Sequence, residues 1–127
     1  MSDAKRVARP LSPHLQVYRM PLNAVLSILH RITGAAMAGS AILILWWFLA
    51  AATSPAAFDL ANGILTSWIG DLVLSLSALA IWFHFTNGIR HLVWDTGAHF
   101  GRKRVRITAY IGLTTTVILT LITLIIA

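Results

Sequence analysis

Three stretches of this chain run without charge for the length of a membrane-crossing helix, and its polar residues gather between and beside them. A hydrocarbon core about 30 Å thick takes about 20 apolar residues at about 1.5 Å each in a helix. The first stretch covers about 23–52 and carries no charge from Ile32 onward, the second covers about 72–94 with no charge before Arg90, and the third covers about 107–127. The second could begin nearer Ile64 if Asp71 lies in the interface. The pattern predicts an all-α membrane protein of three transmembrane helices in one domain, led by a surface segment over residues 1–22. Within that segment PLSPHLQVYRMP holds three prolines, which exclude a long helix but leave HLQVYR room for one amphipathic turn. Pro21 suits the start of the first helix, where its missing N–H costs nothing, and Gly97 suits the stop after the second.

Composition strengthens this picture. Hydrophobic residues make up 57% of the 127 positions and charged ones 11%, against about 25% charged in an average soluble domain. Such a chain lacks the polar atoms to cover a soluble globule, so most of it should face lipid. With no cysteine it can hold no disulfide, no thiolate-ligated zinc or iron–sulfur cluster and no thioether-attached haem. Any metal must take histidine or oxygen ligands.

Charge then sets direction. Lys5, Arg6, Arg9 and Arg19 precede the first stretch, Arg102, Lys103, Arg104 and Arg106 separate the second from the third, and residues 53–71 contain neither Lys nor Arg. Positive charge stays on the cytoplasmic side, so the N-terminus is expected inside and the C-terminus outside. The same placement explains the net charge of +6 as attraction to anionic headgroups and gives no reason to expect nucleic acid. The leader MSDAKRVARP lacks the apolar core of a secretory signal and the length and serine content of a mitochondrial one. A bacterial inner membrane is the expected location. Trp46, Trp47 and Trp68 fall near the outer boundary and Trp94 near the inner one, as aromatic belts do, whereas Trp82 is mid-span and unexplained by that rule.

An ionisable side chain near mid-bilayer costs at least about 2.5–3.5 kcal/mol on insertion scales, so the informative residues are those that break the apolar pattern. Ser27, His30, Arg31 and Gly34 recur at i, i+3, i+4 and i+7, and His84, Gly88, His91 and Asp95 at i, i+4, i+7 and i+11. Each set makes one stripe on a helix. The first helix leaves the inner side and the second returns to it, so antiparallel packing would bring the stripes face to face. Imidazoles without thiols, with Gly34, Ala38 and Gly88 leaving room for a flat body, suit a non-covalently held haem. Arg31 and Ser27 offer donors to a haem propionate or a quinone carbonyl. Plainer roles stay open: Ser27 bonding back to its own helix, Arg31 reaching for headgroups, His30 and His91 holding helices together, Gly34 and Ala38 as packing sites, and Asp95 pairing at the surface. A cofactor-free anchor and a small transporter also remain open, although no span carries an embedded carboxylate.

RPLSPHLQVYR, SILHRITG and HFTNGIRHLVWDTG, in this order and at these separations, resemble the cytochrome b556 membrane-anchor subunit of succinate dehydrogenase. The likeness covers two of the three stretches and the segments flanking them, while the third matches only as generic apolar helix. It implies a subunit that pairs with a second small membrane anchor, docks a flavoprotein and an iron–sulfur subunit, shares one haem b with the partner anchor and helps form the ubiquinone site. By motif position it implies His84 as the axial haem iron ligand, Ser27 and Arg31 at the quinone, and His30 and His91 beside the haem propionates. Succinate oxidation would then belong to other chains.

Overall fold

The computed structural model describes residues 10, 12, 14, 15 and 17–127, so Lys5, Arg6 and Arg9 lie outside the described residues. Four helices follow one another: α1 (Leu22–Thr53), α2 (Pro55–Leu65), α3 (Trp68–Asp95) and α4 (Arg102–Ile126). Among the described residues there is no strand. α1, α3 and α4 are each long and apolar enough to cross a membrane, so the all-α, three-span expectation holds.

The segment before α1 forms a single turn, in which the N–H groups of Val17 and Tyr18 donate to the His14 carbonyl at 3.0 and 2.8 Å. Pro21 occupies the N-cap of α1. Gly97 adopts φ +79 just past α3 and closes on the Trp94 carbonyl at 2.8 Å, the left-handed stop that glycine supplies at no steric cost. α4 begins at Arg102, ahead of the apolar run at Ile107, because Arg and Lys are good helix formers.

α2 was not visible in the apolar pattern. Its start is nonetheless encoded: Ser54 Oγ accepts from the Ala57 N–H at 3.2 Å and Pro55 takes the first helical position. The turn into α3 is tight. A Cβ on Gly70 would run into the carbonyl oxygens of Leu65 and Ile64, so only glycine lets α3 start here.

α3 is the central helix, packed against α4 and α1. Side-chain bonds fix the directions. Asn23 meets Arg90 near one end and Ser40 meets Ser77 farther along, which makes α1 and α3 antiparallel; Arg90–Thr108 and Trp82–Thr123 do the same for α3 and α4. One end of the bundle therefore carries Arg19 and the basic start of α4, and the opposite end carries α2. The small apolar core of Leu26, Phe83 and Ala109 lies between buried Asn87, Arg90, Thr116 and Thr120, while large apolar side chains cover the outside. In lipid that inversion needs no correction, since an apolar exterior is already solvated.

Candidate functional site

The two polar stripes meet at the basic end. His30 on α1 and His84 on α3 stack with ring centroids 3.8 Å apart and planes at 14°. His91, two turns along α3, lies 5.2 Å from His30. Spacing alone had suggested this convergence of α1 and α3, and the structure provides it.

His84 is held in one orientation. Its Nδ1 sits 3.0 Å from the His30 carbonyl oxygen and 3.3 Å from Thr33 Oγ1. A carbonyl only accepts, so Nδ1 carries the proton and Nε2 keeps its lone pair. Thr33 is itself fixed by the Leu29 and His30 carbonyls at 2.9 and 3.0 Å. Gly34 makes the seat: a Cβ there would stand 3.0 Å from His84 Cε1, a contact tight enough that the ring would have to give way by a few tenths of an ångström. Gly88 is looser, its would-be Cβ 3.9 Å from His30 Cε1. Gly34 is thus the glycine the close ring approach depends on, and Ala38 is exposed.

Sequence reasoning passed over Arg90, which had only marked the end of an uncharged run. It is 7% exposed and bonds to all three long helices. Its Nη2 donates to Asn23 Oδ1 at 2.6 Å and to the Val105 carbonyl at 3.3 Å, its Nη1 to Asn87 Oδ1 at 3.3 Å, and its Nε to Thr108 Oγ1 at 3.2 Å. Every one of these acceptors is neutral. The guanidinium also covers the Trp94 ring at 4.3 Å, and Trp94 meets His91 edge-on at 5.2 Å. A detectable signal did exist: an arginine placed inside an apolar stretch, three residues after an asparagine. The other unexplained residue, Trp82, donates from Nε1 to Thr123 Oγ1 at 2.8 Å, which satisfies its polar atom at mid-bundle.

Of the remaining candidates, Ser27 is half-buried, and Arg31 and Asp95 are exposed. Arg31 sits one residue, about 100°, around the helix from His30, so it flanks the stripe that His30 occupies.

The donors fit a haem b. His84 offers one imidazole of fixed tautomer, and His30 Nδ1 and Trp94 Nε1 are buried without a hydrogen-bond partner among the described residues, an arrangement that an acceptor-rich group could satisfy. Among the described residues no cluster of three or more His, Asp or Glu side chains could enclose a bare ion.

Residues 5–123 match the family model described as succinate dehydrogenase/fumarate reductase transmembrane subunit. Among curated relatives, the succinate dehydrogenase cytochrome b556 subunit of Paracoccus denitrificans is 44% identical over 126 residues, covering 99% of this chain and 97% of the relative. The subunits of the same name from Rickettsia bellii and Rickettsia felis are 39% and 35% identical, covering 80% and 90% of this chain and 79% and 89% of their own. With three helices fit to cross a membrane and relatives in these bacteria, this is a multi-pass protein of a bacterial inner membrane. The chain belongs to the succinate dehydrogenase/fumarate reductase transmembrane subunit family.

Proposed function

We propose that this chain is the haem b-binding anchor subunit of a succinate:ubiquinone oxidoreductase, folded as one membrane-anchor domain. Its basic end faces the cytoplasm, it pairs with a second small anchor, and it holds the flavoprotein and iron–sulfur subunits at the membrane. The observation that carries the reading is the His84 imidazole, whose Nδ1 is committed to the His30 carbonyl at 3.0 Å and whose Nε2 is left as a metal ligand. His84 would hold haem b together with a ligand from the partner anchor, and the group would supply a one-electron centre. His30 and His91 would serve its propionates, and Gly34 keeps the His84 ring in register.

Ubiquinone reduction takes two electrons, delivered by the iron–sulfur partner, and two protons, giving the quinol. Ser27 and Arg31 bind the quinone headgroup. The Arg31 guanidinium, exposed in the isolated chain, donates to a quinone carbonyl oxygen and stabilises the negative charge that develops there. Ser27 adds a hydroxyl four residues away on the same helix. A site at the basic end keeps the proton route to water short. No succinate-oxidising chemistry belongs to this chain; that reaction is the flavoprotein's.

The deciding experiment is a reduced-minus-oxidised visible spectrum of the complex purified through this chain, wild type beside His84→Leu. A b-type band that vanishes or shifts with His84→Leu supports the reading, and an unchanged low-spin band overturns the ligand assignment. Arg31→Leu tests the quinone half: quinone reductase activity should fall on the order of tenfold or more while succinate oxidation by a soluble dye continues. Equal loss of both activities would assign Arg31 to assembly instead.

A further inference from the structure

Arg90 is the one buried cation among the described residues, and nothing in the proposed ligand set or quinone site uses it. Its four hydrogen bonds tie Asn23 of α1, Asn87 of α3 and Val105 and Thr108 of α4 into one knot. A knot of that kind could be built from neutral side chains. Burying an ionised group with neutral acceptors only is costly, and an arginine stays charged where a lysine could lose its proton. The feature left to explain is therefore the charge.

A chain of ring contacts links that charge to the histidines. The guanidinium lies 4.3 Å from the Trp94 ring centre, Trp94 meets His91 at 5.2 Å, His91 meets His30 at 5.2 Å, and His30 stacks on His84 at 3.8 Å. Along α3 itself Arg90 is six residues from His84, about 9 Å at about 1.5 Å per residue. The groups along this chain of contacts are aromatic rings, which screen a charge far less than water does. None of the acceptors bonded to the guanidinium is a carboxylate that would cancel its field.

We propose that Arg90 is a positioning residue that acts on the haem held at His84 by its fixed positive charge, raising the haem's reduction potential. An added electron is stabilised by a nearby cation, so net charge around a haem moves its potential in that direction. The proposal rests on His84 being the haem ligand and deepens that reading.

The test is a redox titration of haem absorbance in the intact purified complex, comparing wild type with Asn23→Asp, Arg90→Gln and Thr108→Val. Asn23→Asp is the sharpest variant, because it keeps an acceptor at the 2.6 Å contact and sets a carboxylate against the guanidinium. The midpoint potential is expected to fall in Asn23→Asp and Arg90→Gln. It should stay near wild type in Thr108→Val, which keeps the arginine charge and removes one bond of the knot. A wild-type potential in Asn23→Asp overturns the proposal. So does a fall in Thr108→Val as large as that in Arg90→Gln, which would assign the effect to geometry. If Arg90→Gln fails to assemble, Asn23→Asp and Thr108→Val decide between them. A wild-type complex without haem overturns the parent reading and this proposal together, whereas a His84-dependent haem whose potential ignores Asn23→Asp overturns this proposal alone.

Discussion

The two ends of the bundle both contain polar side chains, and they satisfy them in opposite ways. At the α2 end the bonds are mostly local: Ser54 caps Ala57, Ser67 caps Gly70 and donates to the Ile64 carbonyl and Thr66 donates to the Asn62 carbonyl, with one bond between adjacent helices, from Trp47 to Asn62 Oδ1 at 3.3 Å. At the basic end the bonds span long separations, His84 to His30 and Arg90 to Asn23, and two buried polar atoms, His30 Nδ1 and Trp94 Nε1, go unpartnered among the described residues. Local, saturated bonding closes a turn. Long-range bonding that leaves buried polar atoms over calls for a further partner. On the proposed reading the α2 end is architecture and the basic end a site, a division that mutations should reproduce.

The largest effect is expected where the chain has no slack. Gly70→Ala would force a methyl group into the Leu65 and Ile64 carbonyls, and overpacking against backbone costs about 3 kcal/mol or more. Assembled complex should become scarce and its thermal midpoint fall, while the haem band of the surviving fraction stays at its wild-type wavelength. A shifted band in Gly70→Ala would dissolve the division between the two ends.

Gly34→Ala reverses the readouts. The new methyl meets the far edge of a side chain, His84 Cε1 at 3.0 Å, and a ring can yield by a few tenths of an ångström. Stability should drop by about 1–2 kcal/mol, and the ligand's tilt should change enough to alter the low-spin electron paramagnetic resonance spectrum. An unaltered spectrum would mean that the glycine serves helix packing only.

Asn62→Ala leaves the Trp47 indole N–H unpaired, at a cost of about 1 kcal/mol in the thermal midpoint and with no change in the haem spectrum. The complementary substitution at the basic end is Thr33→Val. It keeps the shape of the side chain but removes the hydroxyl 3.3 Å from His84 Nδ1, so the spectrum should respond although the lost bond is worth no more than the one at Asn62.

How much of this was legible in the sequence depends on how far each signal reaches. Uncharged length is a property of consecutive residues, so α1, α3 and α4 could be read directly. The histidine stripes were legible because i, i+3, i+4 and i+7 repeats fix a helix face, and a direction deduced from charge indicated which faces would meet. α2 was missed because PAAFDLANGIL is too short for an apolar-run criterion, although Ser54–Pro55 is a start signal. Arg90 was missed for a deeper reason: its acceptors at Asn23 and Thr108 lie 67 and 18 positions away, and no local spacing rule links them. Arg31 shows the limit of the stripe argument, since neighbours about 100° apart on a helix can share a pattern and still face different surroundings.

The smallest expected effect lies between the two ends, where Ser40 Oγ donates to Ser77 Oγ at 2.8 Å. Each hydroxyl also has its own helix carbonyl, Ala36 for Ser40 and Val73 for Ser77, so neither is stranded when the other is removed. Interhelical hydrogen bonds of this kind average about 0.6 kcal/mol in membranes, because the separated helices find other partners. A double-mutant cycle of Ser40→Ala and Ser77→Ala should therefore show coupling of about that size in the thermal midpoint. Ser77 is seven residues from His84 on the same face of α3, close enough to test where the site stops. If the haem spectrum is unmoved in both single variants, the site ends within two turns of His84. A spectral change in Ser77→Ala would extend the site to mid-bundle and reassign this serine pair from architecture to ligand.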